Sequence, residues 1–277
     1  MIHIPIAIPN PQFRWMASFW CYMMKRVYGP LSYKFSLLSI VKKNHVNDQV
    51  INQVDWDLSG LPYVMSDSVY EYVESTNPNC IVINVFSALK EAVNAYGPEE
   101  VICVTDMDVI PLQPYTGKLP KENEVICYDG YEDWHMFIAN KDKKNYKRIE
   151  KYLEHSEQGY MNGGFVPILI RNNTLQKIID DVIETAEKII EDPESEQNWK
   201  WWSCMTSFSI VCHNHKIKMI GADNTYIPNI NECDLSKHYF AHYSVDPKFN
   251  KHKFPNMDFS TLPDNAFYNF VKEWMIR

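Results

Sequence analysis

The segment Val101-Ile102-Cys103-Val104-Thr105 runs straight into Asp106-Met107-Asp108, and apolar residues resume at Val109-Ile110. A short continuous apolar run bounded by turn signals reads as a buried strand of a parallel sheet. Gly97-Pro98 punctuates the chain before it, and Pro111 stops it. Two carboxylates one position apart at the end of such a strand are costly to bury unpaired. Open α/β sheets bind ligands in the crevice beyond the carboxyl ends of their strands. The pattern therefore points to a hard divalent cation, Mn²⁺ or Mg²⁺, held by Asp106 and Asp108 and bringing a phosphate with it. The bland alternative is a solvated turn, and the strand in front of the aspartates weighs against it.

Hydropathy patterning places this strand in an α/β domain. Ile2 to Ile8 reads as a first strand. Gln12 to Val27 has helical spacing, with Trp15, Phe19, Tyr22, Met23 and Arg26 near one face. Lys34 to Lys42 is a strand or short helix, and Leu61 to Ser66 another strand. Asp67 to Glu74 is a helix or loop. Ile83 to Tyr96 is a helix with Val85, Leu89, Ala92, Val93 and Tyr96 on one side, and Gly97 at its end. The Asp106 strand follows, and helix-then-strand order implies a mostly parallel central sheet flanked by helices. Glu124 to Tyr128 and Ile138 to Asn140 read as strands, and Lys143 to Glu154 as a polar-faced helix. Two adjacent glycines, Gly163 and Gly164, open a strand running to Arg171. They permit close approach of backbone to a ligand, or a tight turn. Thr174 to Glu191 is a long amphipathic helix with Leu175, Ile178, Ile179, Val182 and Ile183 inward. Trp199 to His213 is helical, Lys216 to Ile220 a strand, and Ala266 to Trp274 a closing helix. Tyr239 to Lys248 belongs to a loop-rich last third. No repeat and no Gly/Ser linker divides the chain, so one domain is expected.

The 277 residues and 45% hydrophobic content support a sizeable core. A net charge of −8 disfavours a nucleic-acid partner. The aromatic share, 14%, mostly fills the core, with a remainder suited to stack on a base or sugar. Seven cysteines occur without a C-x-x-C pair, the mark of reduced, buried thiols in an intracellular protein. The N-terminus is interrupted by prolines and lacks a basic stretch, so it is not a secretion signal. No run of 18 apolar residues exists for a membrane anchor. A soluble cytoplasmic protein is the expectation, and Asn172-Asn173-Thr174 then carries little weight as a glycosylation sequon.

The order of features is similar to the GT-A class of nucleotide-sugar glycosyltransferases. An amphipathic helix leads into a strand ending in D-x-D, then an Asn162-Gly163-Gly164 strand, then a late His-Tyr segment. The Tyr160 to Ile170 block resembles the N-x-G strand of the retaining family that includes glycogenin and bacterial galactosyltransferases. His242 with Lys248 resembles that family's late H-x-x-G-x-x-K motif. The glycine between them is absent here, and so is the usual D-Q pair, with Gln197-Asn198 the nearest polar pair. The branch is therefore divergent. The missing Golgi-type anchor is shared with many bacterial and large-virus glycosyltransferases, including viral glycan-building enzymes.

The resemblance implies one GT-A (Rossmann-like) domain, with residues 1–110 as nucleotide-binding half and 111–277 as acceptor-binding half. It implies a UDP-sugar donor, a carbohydrate or other hydroxyl acceptor, and Mn²⁺ or Mg²⁺. Asp108 is assigned to the metal and Asp106 to metal and ribose, with His242 as third ligand and Lys248 on a phosphate. Ile8, Asn10 and Arg14 stand where such enzymes contact base and ribose. Asn162, Gly163 and Gly164 would abut donor sugar and acceptor. An inverting transferase also needs a carboxylate to take the acceptor proton. Asp133 or Glu132 is the candidate, with Trp134 to stack on a sugar. A retaining enzyme needs no such base, and Asn162 or Gln197 then faces the anomeric carbon. Two rival readings are a nucleotidyltransferase acting on sugar phosphates and a non-catalytic carbohydrate-binding protein. The first wants a Gly-rich phosphate loop, and residues 2–14 contain no glycine. Oligomeric state leaves no trace in the sequence.

Overall fold

Val101–Val104 (β4) is buried at all four positions, so each face of the strand needs a covering layer. The computed structural model describes residues 2–7, 14–28, 35–42, 63–66, 86, 89–90, 93–94, 96–106, 108–128, 149–154, 165–195, 200, 203–222, 234, 237–243, 257–258, 260 and 264–276. Among them the other strands are Ile2–Ala7 (β1), Phe35–Lys42 (β2), Tyr63–Ser66 (β3), Val109–Pro111 (β5), Glu124–Tyr128 (β6), Phe165–Arg171 (β7), Lys218–Gly221 (β8) and Phe240–His242 (β9). The helices are Arg14–Tyr28 (α1), Asn172–Glu191 (α2), Ser203–Asn214 (α3) and Ala266–Met275 (α4).

Seven strands form one sheet in the order β3-β2-β1-β4-β7-β6-β8, and β5 pairs with β9 in a separate ribbon. β1, β2, β3 and β4 run parallel, as do β6 and β8. Only β7 runs against its neighbours, β4 and β6. The sheet is thus mostly parallel, with one reversed strand in its middle. Its chain path moves outward from β1 to β3 and returns to β4 on the other side of β1. That reversal makes the gap between β1 and β4 a topological switch point, where such sheets take ligands.

Most expected elements are present, with boundaries moved by a few residues. The Lys34–Lys42 ambiguity resolves as a strand. Phe86, Leu89 and Val93 are helical and buried, so Phe86 joins the apolar face expected of Leu89 and Val93. The polar-faced helix reaches Glu150 and gives way to a turn at Lys151 and Tyr152. Arg26 does not point inward with Phe19, Tyr22 and Met23. It lies at the rim, bonded to Glu273 and to the Tyr22 hydroxyl, with its guanidinium 4.9 Å from the Phe270 ring centroid. The expected single strand through Asp106 and Asp108 is two strands in two sheets, broken between Val104 and Val109. The segment expected as a late loop holds β9. Residues 67–74 and 138–140 lie outside those described.

The largest fully buried side chains are chiefly aromatic, among them Trp20, Tyr28, Tyr243, Phe19, Phe208 and Phe267. These serve as core, not as pocket walls. Cys103, Cys127, Cys204 and Cys212 are buried. Burial pushes the Cys103 thiol up to about 12, so it stays protonated at neutral pH. Among the described residues no helix is long and apolar enough to cross a membrane.

One side chain ties the two halves of the main sheet. Asn172 begins α2 directly after β7, and it is fully buried. Its Nδ2 donates to the carbonyls of Val93, Tyr96 and Gly97, at 2.9, 2.8 and 3.3 Å. Its backbone N–H donates to Glu100 O at 2.8 Å. The carbonyls ending the helix before β4 are thereby satisfied from the start of α2. A residue so placed cannot carry a glycan, which disposes of the sequon. Asn172→Ala removes this donor from all three carbonyls, although Gln176 Nε2 still reaches Val93 O at 2.9 Å and Glu100 N–H still reaches Gly97 O at 3.1 Å. We expect a loss of about 2 kcal/mol and a melting point lower by about 5 °C, measurable by thermal denaturation followed by circular dichroism.

Candidate functional site

Strand direction decides what meets at the sheet edge. β1 and β4 are parallel neighbours, with Ile2 opposite Val101, so both carboxyl ends face the same way. β7 is antiparallel to β4, with Val104 opposite Ile168, so β7 enters the sheet at that same edge. β6 is antiparallel to β7, with Tyr128 opposite Phe165, and therefore ends there as well. β8 follows β6, pairing Cys127 with Gly221. Four of the segments expected to carry chemistry attach at this edge. Residues 8–10 follow β1, Asp106 follows β4, residues 129–135 follow β6, and residues 162–164 precede β7.

The D-x-D pair sits on a turn at the end of β4. Val109 N–H donates to Asp106 O at 3.0 Å, closing the turn from Asp106 to Val109. Thr105 is buried and its hydroxyl donates to Asp106 O at 3.3 Å. The turn hands the chain to β5, which leaves the main sheet for the ribbon. Asp106 is half-buried, while Asp108 is only 6% exposed.

Asp108 meets the late His-Tyr segment across the ribbon. Val109 pairs with His242, Ile110 with Ala241 and Pro111 with Phe240. Tyr243 N–H donates to Asp108 O at 3.0 Å. His242 Nε2 lies 3.4 Å from Asp108 Oδ1, with both side chains largely shielded from solvent. The fully buried Tyr243 phenol is held well above its ordinary pKa, first by burial and then by the charge of Asp108. It remains neutral at neutral pH.

A buried carboxylate oxygen beside an imidazole nitrogen is a donor pair that a divalent transition ion such as Mn²⁺ can accept, and one that fits Mg²⁺ less well. Among the described residues no three His, Cys, Asp or Glu side chains converge as a metal cage. Asp108 and His242 are thus brought together, and Asp106 stands two positions away on the same turn. Arg14 opens α1, and its side chain is not described. Ile8, Asn10, Glu132, Asp133, Asn162, Gly163, Gly164 and Lys248 lie outside the described residues. Trp134 and Gln197 do so too.

Sequence reasoning missed Tyr243. The signal was an aromatic residue directly after the candidate ligand, in Phe240-Ala241-His242-Tyr243.

A family model described as "Hydroxyproline O-arabinosyltransferase family N-terminal domain" matches residues 48–220. Among solved structures, the chain is similar to the bifunctional glycosyltransferase WbbM in its apo form, with a TM-score of 0.54 and 10% identity. That match covers 99% of this chain and 49% of WbbM, so the chain spans about half the length of that protein. It is also similar to the galactosyltransferase LgtC in complex with donor and acceptor sugar analogs, with a TM-score of 0.50 and 8% identity. There the match covers 89% of this chain and 88% of LgtC. No curated protein sequence matches the chain. At such identities the likeness is one of fold, and it is the single α/β GT-A arrangement that the order of motifs implied.

Proposed function

The chain belongs to the hydroxyproline O-arabinosyltransferase family, a family of glycosyltransferases, and from that premise we propose a metal-dependent transfer of sugar from a UDP-sugar to an acceptor hydroxyl. One observation carries the metal part of the reading: Asp108 Oδ1 and His242 Nε2 stand 3.4 Å apart at the sheet's ligand-binding edge. A divalent cation bound there supplies positive charge to the diphosphate as the glycosidic bond breaks. Asp108 and His242 hold that ion, and Asp106 contributes to metal and ribose.

The remaining roles rest on the shared edge and on the resemblance. Ile8, Asn10 and Arg14, after β1, contact base and ribose beside the switch point. Gly163 and Gly164, before β7, allow the backbone close to the donor sugar, and Asn162 bonds its hydroxyls. Lys248 pairs with a phosphate oxygen. In an inverting reaction Asp133 or Glu132, after β6, accepts the proton of the attacking hydroxyl. The family description names arabinose and hydroxyproline, so UDP-arabinose and a hydroxyproline peptide are the first donor and acceptor to try.

A thermal-shift panel of UDP- and GDP-sugars, with and without Mn²⁺, tests the donor. The true donor at about a hundred times its Kd stabilises by about 2.7 kcal/mol, and should do so only with the metal. In Asp108→Ala that shift disappears and transfer falls by about a thousandfold or more. Full activity of this variant, or of the unmutated chain in EDTA, would refute the metal reading.

Asp133→Asn separates chemistry from binding. Turnover drops by about a hundredfold or more while the donor still raises the melting point, as expected for loss of a general base. An unchanged kcat would remove Asp133 from that role. His242→Ala is expected to shift the Mn²⁺ requirement upward by about tenfold or more, read from initial rates against metal concentration. An unaltered titration would make His242 a structural residue.

A further inference from the structure

The family match ends at residue 220, yet the partners of Asp108 come from beyond it. β9 supplies His242, and Tyr243 follows with its backbone bonded to Asp108 O. The contact is extended along the chain on both sides. Leu112 N–H donates to Tyr239 O at 2.8 Å, and Gln113 Nε2 to His238 O at 3.1 Å. Tyr115 and Tyr239 pack with ring centroids 4.8 Å apart.

What presses this ribbon together is aromatic. The Tyr243 ring packs on Phe19 of α1, at 6.2 Å, and on Phe267 of α4, at 5.4 Å. Phe19 and Phe267 also meet edge to face at 6.0 Å. All three are fully buried. α1 packs on both β5 and α4, so the same helix backs the strand that leaves Asp108. α4 is itself fixed at its start, where Asn265 caps it by accepting from Tyr268 N–H at 3.0 Å. At the far end Glu273 holds Arg26 and the Tyr22 hydroxyl.

We infer that Tyr243 is a positioning residue for the Asp108–His242 pair, with α4 as its clamp through Phe267. This rests on the reading of that pair as a metal site. The ring of Tyr243 anchors the end of β9, and the residue's N–H fixes the backbone of Asp108, so the two donors keep one spacing. Outer residues that orient metal ligands change metal affinity when lost, without taking part in coordination.

The test is Mn²⁺ titration of the full chain, read by electron paramagnetic resonance of the free ion, well below each variant's melting point. Tyr243→Leu removes the ring and should weaken Mn²⁺ binding by about tenfold or more with the far-UV spectrum unchanged. Tyr243→Phe keeps the ring and should restore affinity to within about twofold. Wild-type affinity in Tyr243→Leu overturns the inference. So does equal weakening in Tyr243→Phe, which would place the effect in the hydroxyl. If Tyr243→Leu does not fold, Phe267→Leu serves: weaker Mn²⁺ binding in a folded variant supports the clamp, and unchanged binding refutes it. Absence of Mn²⁺ binding in the unmutated chain overturns the metal reading and this inference together. That failure is distinct, because it shows before any substitution.

Discussion

Asp108 sets the hardest condition on this molecule. A carboxylate only 6% exposed is unstable unless its surroundings supply compensating charge and hydrogen bonds. The fold answers by leading the chain out of the main sheet at Asp106 and into a second ribbon, whose other strand carries His242. The imidazole comes within 3.4 Å of the carboxylate, and the Tyr243 N–H secures the backbone. Aromatic rings close the apolar side. Each element of this solution depends on residues from opposite ends of the chain: Phe19 in α1 and Phe267 in α4 meet over Tyr243.

The reversed strand β7 does the complementary work on the main sheet. Were it parallel to β4, Phe165 would enter the sheet at the opposite edge. Running antiparallel, it opens beside the carboxyl end of β4 and directs β6 to end there too. Asn172 at the exit of β7 then reaches back to the helix before β4, so the opposite edge of the sheet is tied as well. The direction of β7 thus puts its own start and the end of β6 at the edge where β1 and β4 end.

Much of this was legible because it is local. The unbroken apolar run Val101–Val104 announced a central strand, and Leu175, Ile178, Ile179 and Val182 announced the buried face of α2. The order of motifs pointed to the GT-A arrangement that fold similarity bears out. The errors arose where long-range pairing overrides local pattern. Val109 and Ile110 continue the apolar run of β4, and nothing nearby shows that they pair with His242 and Ala241. The three-residue strand β9 is too short for periodicity to register. Arg26 falls on the apolar stripe of α1 by spacing alone. Its position at the rim follows from Glu273 in a helix 247 residues further along. Aromatic content likewise does not announce its destination: Tyr243 and Phe267 look no different from residues that would stack on a sugar.

The contacts between residues 112–116 and 238–239 join positions 123 to 127 apart in sequence. Closing so large a loop costs conformational entropy that only the finished packing repays. Synthesis delivers the aspartates long before their imidazole and the final helix. A nascent chain halted after α3 would hold much of the main sheet but leave Asp108 without its ribbon partner. Assembly of the Asp108–His242 pair is therefore a late event in folding, completed when the segment carrying β9 docks.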